Sequence, residues 1–365
     1  MLSYRGPRHG IQKTIYNTHF LIFLPDTVAG PRYDIIMKKI IFNKQRDFIS
    51  IIAPASSCPD AQDKLKEAIK ILALHGFKTL VDDKIFSGDE LPFFAASKEE
   101  RLRMFKEAME NEQVKIIWAF RGGYGCSEFV EDCFNIEQKG DKVLIGYSDI
   151  TVLHLLLNNH YNIPTIHGSV LTSLLPPTNQ DIMPIINVLK GEKSEIQLIP
   201  IKKMSEENIT GTITGGNLTV LTKLISTGLQ IHSHSYASLC HSYGSGNPEK
   251  IILDPRFHGD DNKILLLEDV NEKAYAVHRN LVQLKNTGIF ECIKAIIFGD
   301  FTKGDEFVEQ AIKSFCLNHI QNIGTYKAAG IGHGGVNHPV IMNHEVTINS
   351  NVLSFTSPFE IVENK

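Results

Sequence analysis

No run of apolar residues in this chain approaches the length needed to cross a bilayer, and no excess of positive charge marks it for nucleic acid. Thirty-seven Lys and Arg stand against 41 Asp and Glu, a net charge of -4, so neither a polyanion nor an anionic membrane surface is an expected partner. The cysteines, at 58, 126, 133, 240, 292 and 316, lack the paired close spacing of a zinc site or a redox dithiol. They read as reduced thiols, which points to the cytoplasm. Phe20–Leu24 follows Arg5, Arg8 and Lys13, but this apolar stretch is too short for an export signal. What remains is 365 residues, 42% of them hydrophobic, enough for a substantial core and more than one domain.

Residues 1–45 carry no sustained period and several Gly-Pro and Pro-Asp breakers, and read as an irregular extension. Met37 precedes the first clear strand and could be the natural start of translation. From Phe48 onward the pattern alternates strand and helix: Phe48–Ala53, a helix from about Asp60 to His75 closed by Gly76, Thr79–Val81, a helix from Ser97 to Asn111 capped by Ser97 with Glu100 three residues on, and Lys115–Phe120. Such alternation predicts an α/β fold with a mostly parallel sheet, whose ligands gather at the carboxyl ends of its strands. A first domain is expected over 46–190, a Lys-, Glu- and Ser-rich linker over 191–208, and a second domain over 209–365. The second contains an aperiodic stretch, 229–262, read as an inserted loop.

The chemistry concentrates at Gly146-Tyr147-Ser148-Asp149. A short apolar strand, Lys142–Ile145, ends there and an apolar helix, Thr151–Leu157, begins at once, so Ser148 lies on a sharp turn with its hydroxyl outward. The N–H of Asp149 follows at a helix start, where negative charge is favoured. A serine in that position suits a nucleophile, although it also suits a plain N-cap. Glu268 closes the apolar run Ile264–Leu267, and His333 lies in the glycine-rich stretch 330–335. Together the three supply a hydroxyl, a base and an orienting carboxylate in the chain order Ser, Glu, His.

Arg121-Gly122-Gly123-Tyr124-Gly125 directly follows the third strand and places a glycine loop at the same sheet edge, where its N–H groups could receive an oxyanion or form a simple tight turn. That loop has neither the dinucleotide-binding glycine order nor the Lys-Ser/Thr of a P-loop. Cys126 is a rival nucleophile and His167 a rival base.

The stretches 52–56, 121–125, 146–149, 215–218, 267–269 and 332–334, in this order, resemble the LD-carboxypeptidase (muramoyltetrapeptide carboxypeptidase) family of serine peptidases from about Phe48 to Glu360. The resemblance implies a flavodoxin-like amino-terminal layer carrying Ser148 and a smaller, β-rich α/β carboxyl-terminal domain carrying Glu268 and His333. It also implies a Ser148, Glu268, His333 triad, an oxyanion hole from the N–H groups of Gly123 and Asp149, no metal, no cofactor, and a homodimer. The implied substrate is a murein tetrapeptide that loses its terminal D-alanine during cell-wall recycling, with Arg121, Tyr124 and Asn217 as candidates to hold it. Residues 1–45 and 229–262 have no counterpart in the family and resemble translated repeat elements. Two other readings stand beside this one. A microcin C immunity peptidase would use the same kind of triad, but its glycine loop usually continues with Asn-Ser-Asn where this chain has Gly125-Cys126-Ser127. A non-catalytic binder of an anion or nucleotide would use the glycine loop alone.

Overall fold

Two sheets organise the computed structural model, which describes residues 39–202, 208–226 and 262–363. The first has six strands in the order Val340–Met342, Thr165–His167, Val143–Gly146, Val114–Ala119, Phe48–Ile52, Thr79–Val81. Its five strands from the amino-terminal half run parallel, and in chain order they lie 2-1-3-4-5, the flavodoxin-like arrangement. Val143–Gly146 is buried at every position, as a central strand covered on both faces should be, which is why it reads as an uninterrupted apolar run. The helix Lys98–Glu110 begins where Ser97 Oγ accepts the N–H of Glu100 at 3.3 Å, and it buries the stripe Arg101, Met104, Phe105, Ala108 and Met109.

The second sheet has eight strands in the order Lys193–Gln197, Val352–Thr356, Glu345–Asn349, Asn208–Asn217, Lys263–Val270, Ile293–Thr302, Gly324–Gly332, Ile199–Lys202. The four from Asn208–Asn217 to Gly324–Gly332 are parallel, separated in the chain by the helices Leu218–Ser226, Ala274–Asn286 and Val308–His319. Antiparallel strands flank them.

Two boundaries drawn from sequence change. The stretch 191–208, read as a linker, supplies both edge strands of this sheet. Its polar text is that of edges with solvent on one side: only one residue of Lys193–Gln197 is buried. Within 1–45, Ile40–Asn43 is not irregular, because it pairs in parallel with Phe359–Val362 at the other end of the chain. Residues 1–38, with Met37, and 227–261, which hold all but the last residue of the expected loop 229–262, lie outside the described residues.

One connection fixes how the layers meet. After Gly324–Gly332 in the second sheet, the chain crosses through 333–339 and enters the first sheet as Val340–Met342, antiparallel to Thr165–His167 with Val340 opposite His167. A continuous buried apolar cluster runs through both sheets.

Candidate active site

In the 2-1-3-4-5 order the strand sequence reverses direction between Phe48–Ile52 and Val114–Ala119, and the crevice beyond their carboxyl ends is where such folds bind ligands. The loops that follow these two strands are bonded to each other. Ser56 N–H donates to the Gly122 carbonyl at 3.3 Å, and Tyr124 N–H donates to Ser56 Oγ at 3.1 Å. Gly123 has φ 115°, and a side chain there would collide with that of Ser56. Arg121 Nη1 donates to the Ser57 carbonyl at 2.9 Å.

The strongest brace is Arg101, 1% exposed. Its guanidinium donates to the carbonyls of Ala96 (2.9 Å), Pro54 (3.2 Å) and Gly125 (2.8 Å), pairs with Glu128, and lies over the Phe94 ring. It thereby ties both loops to one helix, and only a planar, multiply donating cation reaches so many acceptors. Sequence reasoning missed it, although an arginine at 101 in register with Met104, Phe105 and Ala108 was a visible anomaly on an apolar stripe.

Ser148 occupies a single 3-10 turn, Ser148–Ile150, between the strand Val143–Gly146 and the helix Thr151–Asn159. Its φ is 66°, a left-handed conformation that a non-glycine residue adopts at some energetic cost. The turn is crowded from two sides. A Cβ on Gly122 would lie 2.9 Å from Ser148 Cβ and 3.2 Å from its Oγ, so the glycine loop packs directly against the serine. Asp149 points inward, accepting the N–H of Cys126 at 2.9 Å and so fastening the glycine loop to the serine turn. Burial raises its carboxyl to about 6, partly opposed by that N–H and by Arg101.

Cys126 is not available as a nucleophile. It is fully buried, its Sγ 3.9 Å from the Pro54 carbonyl, and burial together with Asp149 pushes its thiol well above the ordinary range.

Glu268 and His333 meet at the carboxyl end of the second sheet. Glu268 is fully buried near the end of Lys263–Val270, and His333, just past Gly324–Gly332, donates from Nδ1 to Glu268 Oε2 at 2.5 Å. Burial is the largest single influence and would raise this carboxyl, but the imidazoles of His333 and His167 together outweigh it and hold Glu268 below the usual carboxylate range. With Nδ1 bearing the proton, His333 Nε2 is left as the basic nitrogen. Close approach again requires glycine: Gly332 has φ 112°, and a Cβ there would lie 2.7 Å from Glu268 Oε2. Gly332 N–H donates to Asn337 Oδ1 (2.9 Å), and Gln180 Nε2 donates to the Gly334 carbonyl (2.9 Å), so the imidazole loop is held from both layers.

The ring of Tyr147, the residue before Ser148, lies 4.6 Å from the His333 ring, centroid to centroid, with its hydroxyl 3.1 Å from Ser173 Oγ. The residue before Ser148 thus lies against the imidazole at the seam of the sheets, while Ser148 and His333 themselves are not hydrogen-bonded to each other.

The other candidates fall in different places. Tyr124 is 49% exposed at the rim, its ring 5.8 Å from Phe94. Asn217 is 4% exposed and engaged. Its Oδ1 accepts Val220 N–H at the start of a helix, its Nδ2 donates to Asp269, and its N–H donates to Thr151 Oγ1. That makes it a strut between the second sheet and the helix behind Ser148. His167 is fully buried against Glu268, away from solvent. Among the described residues no group of His, Cys, Asp and Glu could hold a metal ion, and no helix is long and apolar enough to cross a membrane.

Comparison with known proteins gives the family. The LD-carboxypeptidase N-terminal domain model matches residues 49–168 and the C-terminal domain model matches 210–348. A putative carboxypeptidase of Rickettsia conorii is 31% identical over 303 residues, 81% of this chain and 85% of that one. A murein tetrapeptide carboxypeptidase of Pseudomonas aeruginosa is 27% identical over 268 residues, 70% and 76% of the two chains. Two solved structures share the fold with a TM-score of 0.65: a muramoyltetrapeptide carboxypeptidase from Oxalobacter formigenes (24% identical, 84% of this chain and 97% of that one), and an MccF-like protein from Streptococcus pneumoniae in complex with AMP (19%, 85% and 99%). With both domain models matched in order, and a relative above 30% identity over most of both lengths, this chain belongs to the LD-carboxypeptidase family of peptidases.

Proposed function

We propose that this protein is a serine-type LD-carboxypeptidase that removes the terminal D-alanine from murein tetrapeptides in the cytoplasm during wall recycling, acting as a homodimer. The observation that carries the reading is the buried Glu268 carboxylate on His333 Nδ1, the imidazole lying against Tyr147, next to a serine in left-handed conformation under a glycine loop. A binder of anions or nucleotides gains nothing from an imidazole oriented by a buried acid, whereas acyl transfer depends on one.

Ser148 Oγ attacks the carbonyl of the L,D bond while His333 Nε2 takes its proton. The N–H groups of Gly123 and Asp149 receive the oxyanion. The imidazolium then returns the proton to the departing amino group of D-alanine, leaving an acyl-serine. Water, deprotonated by the same imidazole, releases the tripeptide and restores the hydroxyl. Glu268 stays ionised throughout and stabilises the imidazolium. Arg121 and Tyr124, on the glycine loop, are the residues this reading assigns to the substrate.

Purified protein incubated with a murein tetrapeptide should yield tripeptide and free D-alanine by mass spectrometry, and Ser148→Ala should yield neither while keeping its fold. Turnover by Ser148→Ala would refute the mechanism. Cleavage of an aminoacyl-nucleotide analogue in place of the tetrapeptide would move the protein to the microcin-immunity reading.

A further inference from the structure

Glu268 has two carboxylate oxygens in different surroundings. Oε2 is bonded to His333, while Oε1, equally buried, has no hydrogen-bond partner. Facing Oε1 at 3.8 Å is Nε2 of His167, itself fully buried, with neither ring nitrogen bonded. Buried polar groups are almost always satisfied, so an orphaned acceptor and an orphaned donor site facing each other in a buried seam call for a reason. The separation is about 1 Å longer than a charge-assisted hydrogen bond, which a small side-chain adjustment closes.

The surroundings of His167 leave few other partners. Thr165, two residues earlier on the same strand, is bonded to His154 Nδ1 at 2.8 Å, and His154 Nε2 donates to the Gly146 carbonyl at 2.9 Å. The His154 ring lies 6.2 Å from that of His167, and the Tyr147 ring lies 6.0 Å away, its hydroxyl turned to Ser173. Opposite His167 on the neighbouring strand stands Val340. Glu268 is therefore the charged group His167 meets.

We propose that His167 is a positioning residue for the reaction, a second imidazole that bears its proton on Nε2 and donates it to Glu268 Oε1, so that one carboxylate is held between two histidines. The inference rests on the peptidase reading of Ser148 and His333. The terminal torsion of a glutamate is soft, so a carboxylate held at one oxygen can turn and weaken its bond to His333. A donor on Oε1 fixes the plane. It also favours the ionised carboxylate, which keeps the proton on the imidazole during serine attack. Because His167 belongs to the first sheet and Glu268 to the second, the contact registers the orienting carboxylate of one layer against the layer that carries the serine.

The test compares His167→Phe, which keeps the ring shape without a donor, with His167→Gln, which keeps an amide donor. His167→Phe should lower kcat about ten- to a hundredfold with KM within twofold. The low-field proton resonance of the His333–Glu268 hydrogen bond should shift or vanish. His167→Gln should recover most of both. In the unmodified protein, 15N-histidine spectra should show the His167 proton on Nε2, a readout that survives even if the phenylalanine variant fails to fold. An unprotonated Nε2, or a His167→Phe enzyme whose low-field proton is unmoved, overturns the proposal. A protein without peptidase activity whose low-field proton still responds to His167 would instead refute the peptidase reading and leave the cluster intact.

Discussion

Replacing Gly122 with alanine isolates the packing between the glycine loop and the serine turn. Gly122 does not have a positive φ, so alanine adds no backbone strain there, and the added methyl is the whole perturbation. That methyl would sit 2.9 Å from Ser148 Cβ and 3.3 Å from the Tyr147 carbonyl. Ordinary carbon contacts begin near 3.5 Å, so something must yield by roughly 0.6 Å. Overpacking of this kind costs about 1–3 kcal/mol in stability. The larger effect falls on rate. A misplacement near 1 Å at a reacting atom costs on the order of a hundredfold, so a displacement of roughly half that should lower kcat/KM by about ten- to a hundredfold. The assay is D-alanine release at saturating and limiting tetrapeptide, with urea unfolding of the same samples. Gly335→Ala is the control: its added methyl would meet nothing within 4 Å, so rate and stability should match the unsubstituted protein. A Gly122→Ala enzyme with the unsubstituted rate would argue that Ser148, held under this loop, is not the nucleophile.

Arg101→Met keeps most of the volume but strips the donors from three carbonyls and leaves Glu128 unpaired; unfolding should become easier by about 3 kcal/mol in urea titration, with activity reduced because both loops lose their brace. Cys126→Ala should hydrolyse tetrapeptide at close to the unsubstituted rate, and loss of acyl-enzyme formation in that variant would reinstate the thiol. His154 is held by burial, and next by the charge of His167, at about 3 against an ordinary 6.5. Between those values the unfolded chain binds a proton that the folded one does not, so His154 contributes stability above pH 6.5 that is lost as pH falls. The stability gap between the unsubstituted protein and His154→Gln should therefore narrow by about 2 kcal/mol from pH 6.5 to pH 5, read by urea unfolding at each pH.

The parts legible in the sequence are those whose signal is local. A strand buried on both faces, a serine-capped helix, and a turn squeezed between strand and helix each declare themselves within ten residues, and Val143–Gly146, Lys98–Glu110 and Ser148 lie where their text placed them. What stayed hidden depends on distant partners. Lys193–Gln197 and Ile199–Lys202 read as a linker because edge strands carry polar side chains and take their pairing from segments far along the chain. The parallel pairing of Ile40–Asn43 with Phe359–Val362 joins the two ends of the described structure and leaves no mark in either stretch. At the site, Glu268 and His333 were nominated by residue type, and the structure adds that one carboxylate oxygen meets His333 while the other faces His167. Asn217 was nominated for substrate, yet its neighbours consume its hydrogen-bonding groups. A sequence records that a residue is polar and near a motif, but not which acceptors are already taken.

The passage of 333–339 from one sheet to the other has a mechanical implication. A tether anchored at both ends in different layers behaves as a gauge of their spacing, and the imidazole rides on it. On the proposed mechanism, slippage of one layer past the other by a single strand residue, about 3.3 Å, would carry His333 out of reach of Ser148. On the proposed function, a peptide would enter and leave past rim loops such as the one bearing Tyr124.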